Sequence, residues 1–139
     1  MRDDLERFVL AQEHSYQTAL SEIRAGKKTS HWIWYISPQL KGLGRSYNAE
    51  YYGIANVEEA KSYLSHPILG GRLLEITEAL LKFEEKDPQK IMGMIDAMKL
   101  RSCMTLFAYI SEDGSIFHRV LEKYFGGSRD DRTLSMIKG

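Results

Sequence analysis

The chain has 139 residues, 43% of them apolar and 27% charged, which suffices for one domain with its own core and excludes a disordered chain. Nineteen basic residues balance nineteen acidic ones, so no whole-molecule field draws in nucleic acid or an anionic membrane. The single cysteine, Cys103, excludes an internal disulfide and fits a reducing, cytoplasmic setting, and no apolar run approaches the ~20 residues of a membrane helix.

The start, M-R-D-D-L-E-R-F, is charged and lacks the apolar centre of a signal peptide. Leu5, Phe8, Val9, Gln12, Tyr16, Ala19, Leu20 and Ile23 then recur at helical spacing. They predict one long amphipathic helix over roughly residues 3 to 25, stopped by Gly26, with Lys27 and Lys28 at the negative end of its dipole. Gln12 lies inside the apolar stripe, where its amide either caps a neighbouring loop or lines a polar pocket.

The stretch from His31 to Ser46, H-W-I-W-Y-I-S-P-Q-L-K-G-L-G-R-S, comes next. Its aromatic and β-branched residues favour a strand by propensity, but no second clear strand exists to pair with it. A short buried helix capped by Ser30 and ended before Pro38 is therefore expected, with a flexible loop after it at Gly42 and Gly44. Asn56 with Glu59 opens a helix through about Ser65, as a capping-box variant. His66-Pro67 breaks it, and Leu69, Leu73, Ile76, Leu80 and Phe83 carry the next helix to about Glu84. Asp87-Pro88 starts a short helix, and Asp96 caps a longer one through about Ile110. Asp113-Gly114 is a turn, Ser115 caps a helix ending at Gly126-Gly127, and Asp130 caps a last one through Ile137. The expected architecture is a single all-α domain over residues 1–139, with seven or eight helices joined by short turns.

On the segment from Ile95 to Ile110, apolar residues cover more than half the circumference, which predicts a mostly buried helix. Arg101, Ser102, Thr105 and Tyr109 share one narrow stripe, and all four donate hydrogen bonds. Such a stripe suits a carboxylate, a phosphate or a row of carbonyls; the plainer reading pairs Arg101 with a structural carboxylate or a helix end. An unpaired buried arginine is costly, so Arg101 needs an acceptor.

Lys41-Gly42-Leu43-Gly44-Arg45-Ser46 lacks the G-x-x-x-x-G-K-[ST] spacing of a Walker loop. Its glycines still let backbone N–H groups approach an anion, with Arg45 and Ser46 as donors, or the segment is a plain turn. Trp32 and Trp34 are both large enough to dominate a core. On a helix they point roughly 200° apart, so only one can wall a pocket; Trp32, one turn from Tyr35, is the choice. The histidines at 14, 31, 66 and 118 show no metal spacing, and no metal or cofactor is implied. His31 or His66 is suited to move protons, or each caps a helix. Cys103, among Met104, Leu106 and Phe107, reads as a buried, inert thiol.

D-L-E-R-F-V-L-A-Q (4–12), S-H-W-I-W-Y-I-S-P-Q-L-K-G-L-G-R-S (30–46), H-P-I-L-G-G-R-L (66–73), K-L-R-S-C-M-T-L-F-A (99–108), Y-F-G-G (124–127) and D-x-R-T-L (130–134) together resemble the domain-of-unknown-function family numbered eighteen-ten. The likeness spans nearly the whole chain. Members are small and mostly microbial, and some carry an unsupported calpastatin label. The resemblance implies a multihelical fold and no established activity. Ser37 stands where the family often has Phe.

Two functions are compatible with these residues. One is a pocket for a small anionic, phosphate-bearing and nucleotide-like ligand, around residues 31–46 and the 96–110 helix. Arg45, Ser46, Lys99, Arg101, Ser102 and Thr105 would bind the anion, Trp32 or Tyr35 stack, Gln12 and Gln39 orient, and His31 or His66 move protons. The sequence specifies no reaction. The alternative is a non-catalytic protein-interaction module or homodimer, through Tyr47, Tyr51, Tyr52, Tyr63, Tyr124 and Phe125.

Overall fold

The structure is a computed structural model and describes residues 5–138. Ten helices succeed one another: α1 (Glu6–Gln12), α2 (Tyr16–Arg24), α3 (Ile33–Ile36), α4 (Tyr47–Tyr51), α5 (Val57–Ser65), α6 (Leu69–Lys82), α7 (Pro88–Met92), α8 (Met94–Tyr109), α9 (Ile116–Phe125) and α10 (Asp131–Lys138). No helix among the described residues is long and apolar enough to cross a membrane.

α8 is the axis. Leu100 and every residue from Ser102 to Ala108 are buried, because α3, α5, α7, α9 and α10 all pack on it. Around that centre, α6 lies against α2, α5 and α9, and α1 against α3.

Two differences raise the count above the expected seven or eight. The expected helix over 3–25 is two, broken at Glu13–Ser15; its residues 3 and 4 lie outside the described residues. α1 and α2 bury the same face, through Phe8 and Gln12 and then Tyr16, Ala19, Leu20 and Ile23, so the break leaves no trace in the apolar period. α4 had no apolar period to find, since only Ala49 on it is buried.

Most of the expected caps hold. Asn56 accepts from the Glu59 N–H at 2.9 Å, Asp87 from Gln89 at 2.9 Å and Asp130 from Thr133 at 3.1 Å. Ser115 caps α9, which ends on left-handed Gly126. Asp96 does not cap α8; Gly93 occupies the N-cap position with no side-chain cap, at φ +84°, a conformation that residues with side chains rarely adopt. Asp96 sits in the first turn instead and pairs with the buried Lys28 at 2.6 Å. No strand forms among the described residues, but Leu40 and Ile54 make one parallel bridge. The Lys41 N–H donates to the Ile54 carbonyl at 2.8 Å, and the Ile54 N–H to the Gln39 carbonyl at 2.9 Å. That clamp fixes the backbone at Gln39.

Polar ties hold the aromatic stretch in place. The Gln12 amide donates to the Tyr35 carbonyl at 2.7 Å and the Tyr63 hydroxyl at 3.0 Å, and accepts from Arg72 at 3.3 Å. Glu22 receives the Thr29 and Ser30 N–H groups, the Ser30 hydroxyl and the Trp32 indole N–H at 2.9 Å. Ser30 is thus spent on Glu22 and does not cap α3. Burial pushes the Glu22 carboxyl upward, but these four donors outweigh it and hold its pKa at about 2.

A depressed carboxylate pKa stabilises the fold fully above the ordinary value and loses that contribution as pH falls through the folded one. Glu22→Ala is expected to cost roughly 1–3 kcal/mol near neutrality in urea denaturation. Its deficit relative to wild type should shrink between pH 4.5 and about 2.

Candidate functional site

α8 is enclosed from Ser102 to Ala108; Tyr109 at its end is exposed, and so are its first turns. There a cleft of about 260 Å³ opens between α8, the start of α10 and the loop bearing Gln39 and Gly44. Leu43, Ile95 and Met98 form its apolar wall; Lys99, Arg101, Ser102, Asp130 and Arg132 supply the polar side.

Gln39 is only 8% exposed, yet its side-chain amide has no hydrogen bond to any described residue. The amide opens on the cleft and is available there as both donor and acceptor. The close approach of Gly44 holds it there: a Cβ on Gly44 would stand 2.7 Å from the Ala49 Cβ and 3.4 Å from the Gln39 Nε2. Arg101 is half-buried, and its guanidinium likewise has no hydrogen bond or ion pair among the described residues. It also borders a neighbouring cleft of about 330 Å³ beside Tyr124 and Phe125.

Lys99 lies over the Trp34 ring at 4.7 Å and only 3.9 Å from an Asp96 oxygen. The other Asp96 oxygen serves Lys28, so one acid is shared by two lysines. The Trp34 indole N–H is buried without a partner among the described residues. Asp130 is the one carboxylate lining the cleft among the described residues. Its Oδ2 accepts from the Thr133 N–H at 3.1 Å and the Thr133 hydroxyl, and lies 3.1 Å from the Ser102 hydroxyl, whose one proton the Met98 carbonyl at 3.2 Å also competes for. Its N–H donates to the Thr105 hydroxyl at 2.9 Å, which itself donates to the Arg101 carbonyl at 2.8 Å. Its Oδ1 accepts nothing from the described residues.

The structure therefore brings Gln39, Lys99, Arg101 and Ser102 to one cleft, with Thr105 directly behind it. The other candidates lie elsewhere. Gln12 is wholly used in joining α1 to α3 and α5. Trp32 is 2% exposed and belongs to the core, its ring faced by the Lys28 ammonium at 4.9 Å, and it does not line the 260 Å³ cleft. Tyr35 gives its hydroxyl to Ser15. Ser46 caps α4, accepting from the Ala49 N–H at 3.1 Å, and Arg45 beside it is exposed and does not line the cleft. The His66 Nδ1 accepts from the Ile68 and Leu69 N–H groups at 3.0 and 3.2 Å, opening α6. His31 borders a separate 140 Å³ hollow, which Trp32 and Tyr35 also line together with His14 and Ser15, so three of the candidates meet there and not at the 260 Å³ cleft. Neither imidazole lines the 260 Å³ cleft. Cys103 is buried, and burial pushes its thiol pKa up.

Sequence reasoning missed Arg132 and the second role of Asp130. Asp130 was legible as a helix cap, but a cap uses one carboxylate oxygen and says nothing of the other.

Fold and cleft together define a single-domain helical protein with a cationic hollow that keeps unpaired polar groups. The model of a protein family of unknown function, DUF1810, matches residues 2–137, and the chain belongs to that family. A conserved hypothetical protein of Mycobacterium tuberculosis, Rv1873, known from its crystal structure, is similar throughout: 43% identity, a TM-score of 0.95, and coverage of 98% of this chain and 97% of that one. No curated protein matches the chain.

Because Arg101 has no partner among the described residues, Arg101→Gln should change the stability measured in urea by less than about 0.5 kcal/mol. Asp130→Ala removes the α10 cap and the tie to Ser102, and should cost about 1–2 kcal/mol in the same measurement.

Proposed function

We propose that the cleft at the start of α8 binds a small anionic molecule. The observation that carries this reading is the meeting in one hollow of two groups with no partner among the described residues, the Gln39 amide and the Arg101 guanidinium. A fold that needed Arg101 for its own stability would pair it with a carboxylate. Lys99 and Arg132 add positive charge on the same hollow. Asp130, the carboxylate on its wall, is held by the protein through one oxygen.

A thermal-shift screen against inorganic phosphate, pyrophosphate, phosphate esters and small carboxylates tests the reading. A ligand at 100 times its dissociation constant adds about 2.7 kcal/mol, a midpoint rise on the order of 10 °C for a domain of this size. Arg101→Gln should abolish the rise while melting like wild type without ligand. No rise with any anion, or an equal rise in Arg101→Gln, contradicts it.

Association through α8 is a second reading, and it rests on an apolar ridge. Met94, Ile95 and Met98 are 64%, 69% and 68% exposed on adjacent positions of the helix. Of the aromatic residues that the sequence offers for such a surface, Tyr63 and Tyr124 are buried, whereas Tyr47 and Tyr51 are exposed. Sedimentation equilibrium at millimolar concentration is expected to show dimers that Met98→Glu abolishes; a monomer throughout removes the homodimer form of this reading.

A further inference from the structure

Which anion the cleft takes depends on the chemistry it carries besides positive charge, a question that rests on the proposal that it binds an anion at all. Three cationic side chains, Lys99, Arg101 and Arg132, line the cleft with the carboxylate of Asp130, and Lys99 also stands 3.9 Å from Asp96, so the cleft keeps a net positive charge that rests mainly on the two arginines. A phosphate monoester carries about −1.5 to −2 at neutral pH and draws more on that charge than a monocarboxylate does. Yet a bare phosphate leaves Asp130 unanswered. The Asp130 Oδ1 lone pairs would face a second anion, at an energetic cost.

Asp130 cannot turn away. Its Oδ2 is fixed by Ser102 on α8 and by Thr133 on α10, and its own N–H is fixed by Thr105. The second oxygen is consequently an acceptor held at a set position on the cleft. What satisfies it is a donor on the ligand, a hydroxyl or an ammonium. Gln39 adds an amide that both donates and accepts, which also matches hydroxyl groups. Leu43, Ile95 and Met98 give an apolar wall suited to the C–H face of a small ring. The hollow, about 260 Å³, is smaller than the ~300–1,000 Å³ of sites for drug-sized ligands. A dinucleotide is too large for it; a monosaccharide with one phosphate is of the right order.

We infer that the cleft selects a sugar phosphate, its phosphate held by Arg101, Lys99 and Arg132 and a hydroxyl accepted by Asp130, with Asp130 the residue that sets specificity. Asp130 is a positioning and selecting group here, and no bond is made or broken.

Asp130→Asn isolates the role. Asparagine caps a helix as well as aspartate, so its oxygen keeps the Thr133 and Ser102 contacts, while its NH₂ replaces the free acceptor with a donor. Isothermal titration of both proteins with methyl phosphate and D-ribose 5-phosphate reads the result. Wild type is expected to prefer the sugar ester by about tenfold or more, the value of a hydrogen bond to a charged acceptor. In Asp130→Asn, methyl phosphate should bind more tightly and the preference should fall below about threefold, since the repulsion and the acceptor are lost together. Equal binding of the two esters by wild type overturns the inference and leaves the anion site standing. A preference that survives Asp130→Asn overturns the assignment of Asp130. Failure of wild type to bind either ester refutes this inference, and silence toward carboxylates and pyrophosphate as well refutes the anion site beneath it.

Discussion

A helix apolar on nearly every side must be covered on nearly every side, and the arrangement around α8 obeys that demand. Helices from both ends of the chain converge on it: α3 and α5 from the first half, α7, α9 and α10 from the second. The cover is complete from Ser102 to Ala108 and fails over the first turns, where Met94, Ile95 and Met98 reach solvent. The hollow sits where the cover fails. It is thus a consequence of how the core is built, bounded by elements whose positions the core already fixes.

The same carboxylate serves the fold and the hollow. Asp130 starts α10 and ties it to Ser102 and, through its N–H, to Thr105, so α10 docks on α8 by polar contacts rather than by a large apolar face. Of the α10 residues only Thr133 is buried. One oxygen meets these structural needs, and the second stays available. On the opposite wall, the bridge between Leu40 and Ile54 clamps the backbone at Gln39, and Gly44 lets the loop close over its amide. Rigid support behind a few unpaired groups is what a binding site requires, since groups already ordered by the fold need no further ordering on binding.

Much of this is legible in the amino-acid sequence. The all-α fold shows in the apolar period and in caps at Asn56, Asp87, Ser115 and Asp130, all signals local in sequence. The donor stripe read on α8, Arg101, Ser102, Thr105 and Tyr109, leads to Arg101 and Ser102 at the cleft and Thr105 behind it, but Tyr109 is exposed and does not line it. The sequence does not say which donors the fold itself consumes. Trp32 has the size of a pocket wall, but Glu22, ten positions earlier, takes its N–H and fixes it in the core. Gln12 meets Tyr63 and Arg72, and His66 turns on its own helix. Arg45 and Ser46 stand only a few residues from Gln39 and Gly44, yet one is exposed and the other caps α4. Those outcomes depend largely on distant partners, and neither period nor propensity carries that information.

If Gln39 and Arg101 stand unpaired because a ligand pairs them, both must respond when it arrives. An NMR titration of isotopically labelled protein with a phosphate ester observes both directly, through the Gln39 side-chain NH₂ and the Arg101 Nε–H. Saturating shifts on these two signals, with the Lys99 and Ser102 amides changing at the same dissociation constant, are the predicted result. Signals that stay fixed while shifts scatter over the surface would contradict it.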